Sequence, residues 1–486
     1  MGKIERIHSS LLSREVSCRE LTEEYLSAIE RDNSTLSAFV TVTEDCALET
    51  ADKVDKKLSK GESIGMLSGV PMSIKDNIST KGIRTTCCSK MLWNYTPVYD
   101  ATAYSRLKLQ DAVLLGKNNM DEFAMGNTGE NSCIAPSKNP FDMSRVTGGS
   151  SSGSACAVSS NLSVYSLGSD TGGSVRQPAA FCGLVGLKPT FGAVSRYGLI
   201  AYASSLEQIG PMATSVEDVS LVFDAISGKD VLDSTCNREY EESTFSHLND
   251  SIKGKRVGII REFSQGEHIS SEVKEAVNKV VCTYEAMGAN VVELTMPELL
   301  QAVPVYYIIA CAEASSNLAR YDGIRYGYRA QGDFQSVHEL ICRSRSEAFG
   351  KEVKRRILMG TNVLSGDKCS YYYDKAKLLK DNICRQFARA FEKCDVIITP
   401  TTPTPAFECN RKAESVELLC EDACAIPANL ASLPAVNLPC GVSKTGLPIG
   451  VQIIGNKFCE ALVLNMAYKY QQEAQLEFCT KWGVSQ

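Results

Sequence analysis

The chain has 486 residues, 44% hydrophobic and 22% charged, which is the composition of an ordinary folded protein with a large core and excludes a disordered one. Its 51 Lys and Arg against 57 Asp and Glu leave a net charge of −6, which argues against a protein that grips a nucleic-acid backbone unaided. The N-terminus lacks the apolar stretch of a signal peptide and no run of eighteen apolar residues occurs, so a cytoplasmic protein with no membrane association is expected.

MGKIER resembles the start of a myristoylation site, but Arg6 stands where Ser or Thr is required. Ser17 and Glu20 form a capping box that predicts a helix running to about Ala28, and residues 43–61 predict a second one stopped by Gly61. Short apolar runs bounded by turn residues predict strands at LSGVPMSI, AVLLGK, RVGII, NVVELTM, CDVIITP and PIGVQII. Between them, residues 271–288, 337–359 and 371–393 have helical periodicity, whereas 230–250 reads as a polar surface excursion. This alternation predicts an α/β fold with a mostly parallel or mixed central sheet covered by helices on both faces. Length alone suggests about three domains, but no internal repeat or proline-rich linker divides the chain, and one large domain is expected. The 20 cysteines are scattered without zinc-ligand spacing; even Cys87 and Cys88, or Cys420 and Cys424, lack a paired CxxC or His cluster. They are expected to be reduced and packed, with no metal site.

The chemistry concentrates in residues 148–174, GGSSSGSACAVSSNLSVYSLGSDTGGS. A serine that attacks a carbonyl needs exposure, a sharp turn and free main-chain N–H groups for the oxyanion, and flanking glycines permit all three. A flexible linker is also rich in Gly and Ser, but linkers are polar throughout, and here the clusters alternate with apolar segments. Gly148 to Gly153 has phosphate-loop spacing, yet Ser154 and Ala155 follow where Lys and Ser or Thr are required. For a base, the only histidines are His8, His247, His268 and His338, all on polar stretches away from the cluster. Lys75, at the end of the strand in GVPMSIKDN, is the other candidate, because a desolvated lysine loses its proton. From that segment alone, a surface lysine at a strand end is the favoured reading.

GVPMSIKDN, VTGGSSSGSACAVSS and GSDTGGSVRQPAAFCGLVGLKPTFGAVSRYGL together resemble the amidase signature family, whose members hydrolyse amides or transfer their nitrogen with a Ser-Ser-Lys triad. The likeness continues through NMDEFAMGNTGE, SSLEQIGPMA, AEASSNLARYDGIRYGYR, SEAFGKEVKRRILMGT and IPANLASLPAVNLPCG, and so spans essentially the whole chain; these later segments resemble the tRNA-dependent amidotransferase branch. The resemblance implies Ser174 as nucleophile, Ser150 as bridging serine held by a cis Gly149–Ser150 peptide, and Lys75 as base. It also implies an oxyanion hole at Thr171, Gly172 and Gly173. It further implies a glutamine pocket formed by Tyr306, Arg355 and Asp422, with Arg356 or Tyr307 as alternatives at their positions. The domain would then comprise a helical segment at about 1–60, a triad core at about 65–215 and a glutamine-pocket half at about 250–486. On this reading the chain releases ammonia from glutamine and holds no cofactor. Two partners, the B and C subunits of the amidotransferase, would complete a heterotrimer. Its B subunit would hold the charged tRNA, Glu-tRNA(Gln) or Asp-tRNA(Asn), with ATP and Mg²⁺. The alternatives are a stand-alone amidase, which needs no such Arg and Asp, and a non-catalytic scaffold, which would be expected to lose triad residues. One departure from the family pattern is Ser152, where GGSSGGS is more usual; it matters only if φ is positive there.

Overall fold

In the computed structural model, which describes residues 1–240, 242–411, 420–476, 478 and 480–484, eleven strands form one sheet. They are β1 (Phe39–Val42), β2 (Pro71–Lys75), β3 (Val113–Asn118), β4 (Tyr165–Asp170), β5 (Val185–Lys188), β6 (Gln208–Ala213), β7 (Arg256–Ile260), β8 (Asn290–Leu294), β9 (Val396–Pro400), β10 (Ala435–Val442) and β11 (Pro448–Gly455). Their spatial order is β1-β3-β2-β4-β6-β5-β10-β11-β9-β7-β8. Two parallel blocks, β3-β2-β4 and β9-β7-β8, flank an antiparallel centre, so the sheet is mixed. Successive strand side chains point to opposite faces, yet every residue of β2, β3, β4, β6 and β11 is buried. Both faces of the sheet are therefore covered.

The helical predictions hold with shifts that have physical causes. The Ser17–Glu20 capping box is formed, and its helix runs on from Cys18 to Leu36. The second helix spans Glu44–Ser59, followed by Gly61 at φ 74°. Residues 337–359 are not one helix but two, Val337–Ala348 and Lys351–Val363. The break falls at Phe349 and Gly350, whose extended backbone turns the chain between them. Residues 375–393 are α-helical after a wider π-type turn at 369–374.

Strands β4 and β6 carry Gly and Pro, yet they lie near the middle of the sheet because neighbours on both sides impose the extended form. Pro297–Arg320 is the one helical stretch among the described residues with the length and apolarity to cross a membrane. Within its most apolar eighteen-residue window, 56% is buried in the fold.

Candidate active site

Ligands in sheets of this kind sit beyond the carboxyl ends of parallel strands. Here β2 and β4 run parallel and end at Lys75 and Asp170. The Gly-Ser segment that follows β3 returns through the helix Ser152–Ser159, which packs on β2, β3 and β4 and leaves Ser150 at the strand ends. This stretch is core: residues 146–158 are all buried, which removes the linker reading.

Lys75 is wholly buried and donates from Nζ to Ser150 Oγ at 2.7 Å, to Ser169 Oγ at 3.0 Å and to the Ser169 carbonyl at 3.2 Å. Desolvation drags its ammonium from 10.5 to about 7, with Asp121 and Asp170 pulling weakly the other way. An ordinary lysine is neutral about once in a thousand at pH 7.4; at a pKa near 7 the neutral form is the majority. The surface reading of Lys75 is thereby overturned. The residue after Ser150 meets Ser174 through the backbone, the Ser151 N–H donating to the Ser174 carbonyl at 3.2 Å. Ser174 is 8% exposed, whereas Ser150 and Lys75 are fully enclosed. Of the three, only Ser174 is open to an incoming substrate.

The peptide Gly149–Ser150 is cis. Gly149 N–H donates to Gln177 Oε1 at 2.9 Å, Asp121 N–H donates to the Ser150 carbonyl at 3.2 Å, and a side chain at 149 would drive into the Asp121 carboxylate. Asp121 in turn accepts from Gly129 N–H, Asn131 N–H and Asn131 Nδ2, each at 3.0 Å. Ser152 is not among the residues with positive φ and opens a helix, so a serine fits where glycine is more usual.

The turn after β4 is fixed by a buried ion pair. Asp170 meets Arg176 Nε at 3.0 Å and Nη2 at 3.1 Å, both side chains at 0% exposure. Burial pushes the Asp170 carboxyl up, but Arg176, with Lys188 and Asn429, holds it well below the usual carboxylate range. Asp170 Oδ1 also accepts the Gly173 N–H at 2.8 Å. Of the N–H groups expected at an oxyanion hole, that of Gly173 is thus occupied, while those of Thr171 and Gly172, and that of Ser174 next to them, have no acceptor among the described residues.

Tyr306 lies over this turn, for a Cβ on Gly172 would sit 2.7 Å from its ring. Beside it are Tyr307, Arg356 and Asp422. Burial raises Asp422 to about 8, against the pull of its hydrogen bond from Asn127 and of Arg356. Asp422 accepts from Asn127 Nδ2 at 3.0 Å and from Gln177 Nε2 at 3.3 Å, so Gln177 ties this carboxylate to Gly149.

Arg355 is placed differently from the expectation. It is one-third exposed and spends Nε and Nη2 on Glu352, at 2.7 and 2.6 Å. Arg356 is 4% exposed and packs between the rings of Tyr202 and Tyr307. Adjacent helical residues point about 100° apart, and on the helix Lys351–Val363 the inward one is Arg356. Sequence reasoning missed Asp121, Asn127, Gln177 and Tyr202. The first three lie within quoted motifs, each beside another polar residue (Glu122, Thr128 and Arg176) from which the motif alone does not distinguish it; Tyr202 lies outside those motifs. Among the described residues no group of His, Cys, Asp and Glu is arranged to hold a metal ion.

A fully buried lysine–serine pair beside a loop serine that keeps 8% of its surface open, on an eleven-stranded mixed sheet, has the make-up of a serine hydrolase. The Amidase family model matches residues 20–464, and the chain belongs to that family. It is 49% identical over 470 residues to the A subunit of glutamyl-tRNA(Gln) amidotransferase from Caldanaerobacter subterraneus subsp. tengcongensis, covering 96% of each chain. The crystal structure of the protein of the same name from Thermotoga maritima is 37% identical, with a TM-score of 0.80 over 96% of this chain and 95% of that one. The native peptide amidase of Stenotrophomonas maltophilia superposes as well, at a TM-score of 0.83 over 99% and 98%, with 27% identity. The backbone alone therefore does not separate these activities.

Proposed function

We propose that this chain is the glutamine-hydrolysing component, the A subunit, of a tRNA-dependent amidotransferase. The observation that carries the reading is the pairing, in one site, of a neutral-lysine serine centre with a pocket bearing Arg356 and Asp422, the guanidinium and the carboxyl group that match an amino acid's α-carboxylate and α-ammonium. The full-length likeness to proteins of that name supports it. Ser174 Oγ attacks the side-chain amide carbon of glutamine, passing its proton to Ser150 Oγ, which passes its own to Lys75 Nζ. The developing oxyanion is held by the N–H groups of Thr171, Gly172 and Ser174. The proton returns from Lys75 through Ser150 to the leaving nitrogen, ammonia departs, and water attacking the glutamyl ester along the reverse relay releases glutamate.

Arg356 takes the α-carboxylate in this reading, in preference to Arg355, while Asp422 takes the ammonium and Tyr306 closes the pocket over Gly172. The B and C subunits complete a cytoplasmic heterotrimer. The B subunit holds Glu-tRNA(Gln), or Asp-tRNA(Asn), together with ATP and Mg²⁺, and uses the ammonia.

The test is ammonia release from glutamine by the chain purified with its partners, with and without ATP and Glu-tRNA(Gln), beside a panel of simple amides. Release that requires glutamine and rises with charged tRNA is expected. Indifference to tRNA with faster cleavage of another amide would make the protein a free-standing amidase.

A further inference from the structure

Arg356 is held by a group for which the hydrolytic chemistry has no use. Tyr202 lies in the connection between β5 and β6 and is 1% exposed. Its hydroxyl accepts from Arg356 Nη1 at 2.6 Å, and its ring centroid stands 5.4 Å from the guanidinium carbon, with the Tyr307 ring at 5.3 Å. Tyr202 is itself anchored, its N–H donating to Glu207 Oε2 at 2.9 Å and its carbonyl accepting from Asn317 Nδ2 at 3.1 Å.

We propose that Tyr202 is a positioning residue that sets selectivity for an α-carboxylate-bearing amide by aiming the Arg356 guanidinium. This rests on the reading of the Arg356 pocket given above. A guanidinium has five N–H donors. Arg356 gives Nε to Glu352 Oε1 at 2.7 Å and one Nη1 hydrogen to Tyr202, and Nη2 has no acceptor among the described residues. The three remaining donors form a fork of the shape that binds a carboxylate through two parallel hydrogen bonds.

Charge points the same way. Glu352 is the only carboxylate that hydrogen-bonds Arg356 among the described residues, and its oxygens also take Nε and Nη2 of Arg355. One negative charge is thus shared by two guanidinium groups, leaving Arg356 net positive toward the pocket. A neutral phenol fixes Arg356 without cancelling that charge, whereas a carboxylate in its place would cancel it. Losing the hydroxyl leaves a buried charged donor without its acceptor and frees the side chain to turn between rotamers.

The experiment compares wild type, Tyr202→Phe and Arg356→Ala in the assembled complex. It uses glutamine and 4-aminobutanamide, which keeps the amine and amide and lacks the α-carboxylate. For Tyr202→Phe, the KM for glutamine should rise about tenfold, the size expected when a buried charged donor loses its acceptor. The kcat should stay within about threefold, and kcat/KM for 4-aminobutanamide, or its inhibition constant against glutamine where turnover is too slow to read, should not change. An unchanged glutamine KM in Tyr202→Phe, with a raised one in Arg356→Ala, overturns the role of Tyr202 and leaves the pocket reading standing. Equal losses on both amides would mark Tyr202 as merely structural and overturn it too. An unchanged glutamine KM in Arg356→Ala would remove the pocket reading itself.

Discussion

Replacing Lys75 by methionine should abolish glutamine hydrolysis and stabilise the protein, and the gain in stability should depend on pH in a defined way. Burial lowers the folded-state pKa from 10.5 to about 7. Between those values the unfolded chain holds a proton on this lysine that the folded chain has lost, so wild-type stability rises with pH across that window. At about 1.36 kcal/mol per unit, the burden on the folded state is on the order of 4 kcal/mol at pH 7 and about 2 kcal/mol at pH 9. Methionine is close in length, uncharged and free of it. The hydrogen bonds lost at Ser150 and Ser169 subtract a constant, shifting the difference without changing its slope. Average unfolding entropies give a chain of 486 residues about 1 kcal/mol/K at its midpoint. The thermal midpoint of Lys75→Met relative to wild type should therefore fall by about 2 °C as the pH is raised from 7 to 9. Calorimetry of both proteins across that range reads the difference. A gap that does not move with pH would refute the claim that Lys75 is held neutral by desolvation.

Further outcomes are expected. Ser174→Ala should form no covalent glutamyl adduct with glutamine by intact-mass measurement; an adduct would move the nucleophile elsewhere. In the wild type, kcat/KM for glutamine should climb with pH through about 7 as Lys75 loses its proton, and further through about 8 as Asp422 ionises to meet the substrate ammonium. Asp422→Asn should raise KM and remove the upper limb, so a profile that keeps it would exclude Asp422. Arg355→Ala should leave the glutamine KM within about twofold, because its guanidinium is already held by Glu352 at the protein surface. Arg176→Met strands the Asp170 carboxylate in the core and should cost about 3–5 kcal/mol, read as a fall in thermal midpoint of roughly 3–5 °C; an unchanged midpoint would mean that Asp170 is neutral in the fold.

The features legible in the sequence were those with a local physical signature. The Ser17–Glu20 box and Gly61 bounded helices because capping and positive φ are decided within a few residues. β7 and β11 were legible as apolar runs between turns. β4 was not, because the alternation of YSLGSD ends at Gly168 in residues of low strand propensity, and the segment lies as a strand between β2 and β6. The Gly-Ser cluster suggested an acyl-transfer site, and the motif likeness pointed to Ser150, Ser174 and Lys75.

What the sequence determined by itself was therefore the α/β class, the segments bearing the chemistry and, through resemblance, the family. The tertiary structure decided what depends on burial and direction. Lys75 can shed its proton near neutral pH because the end of β2 is sealed from water, a property of everything packed around it and of nothing in GVPMSIKDN. Arg356, in preference to Arg355, faces the pocket because neighbouring residues on a helix diverge by about 100°, and only the docking of that helix chooses between them. Tyr202, 154 positions from Arg356 in the chain, meets it at 2.6 Å because the fold closes there, a contact no local pattern encodes.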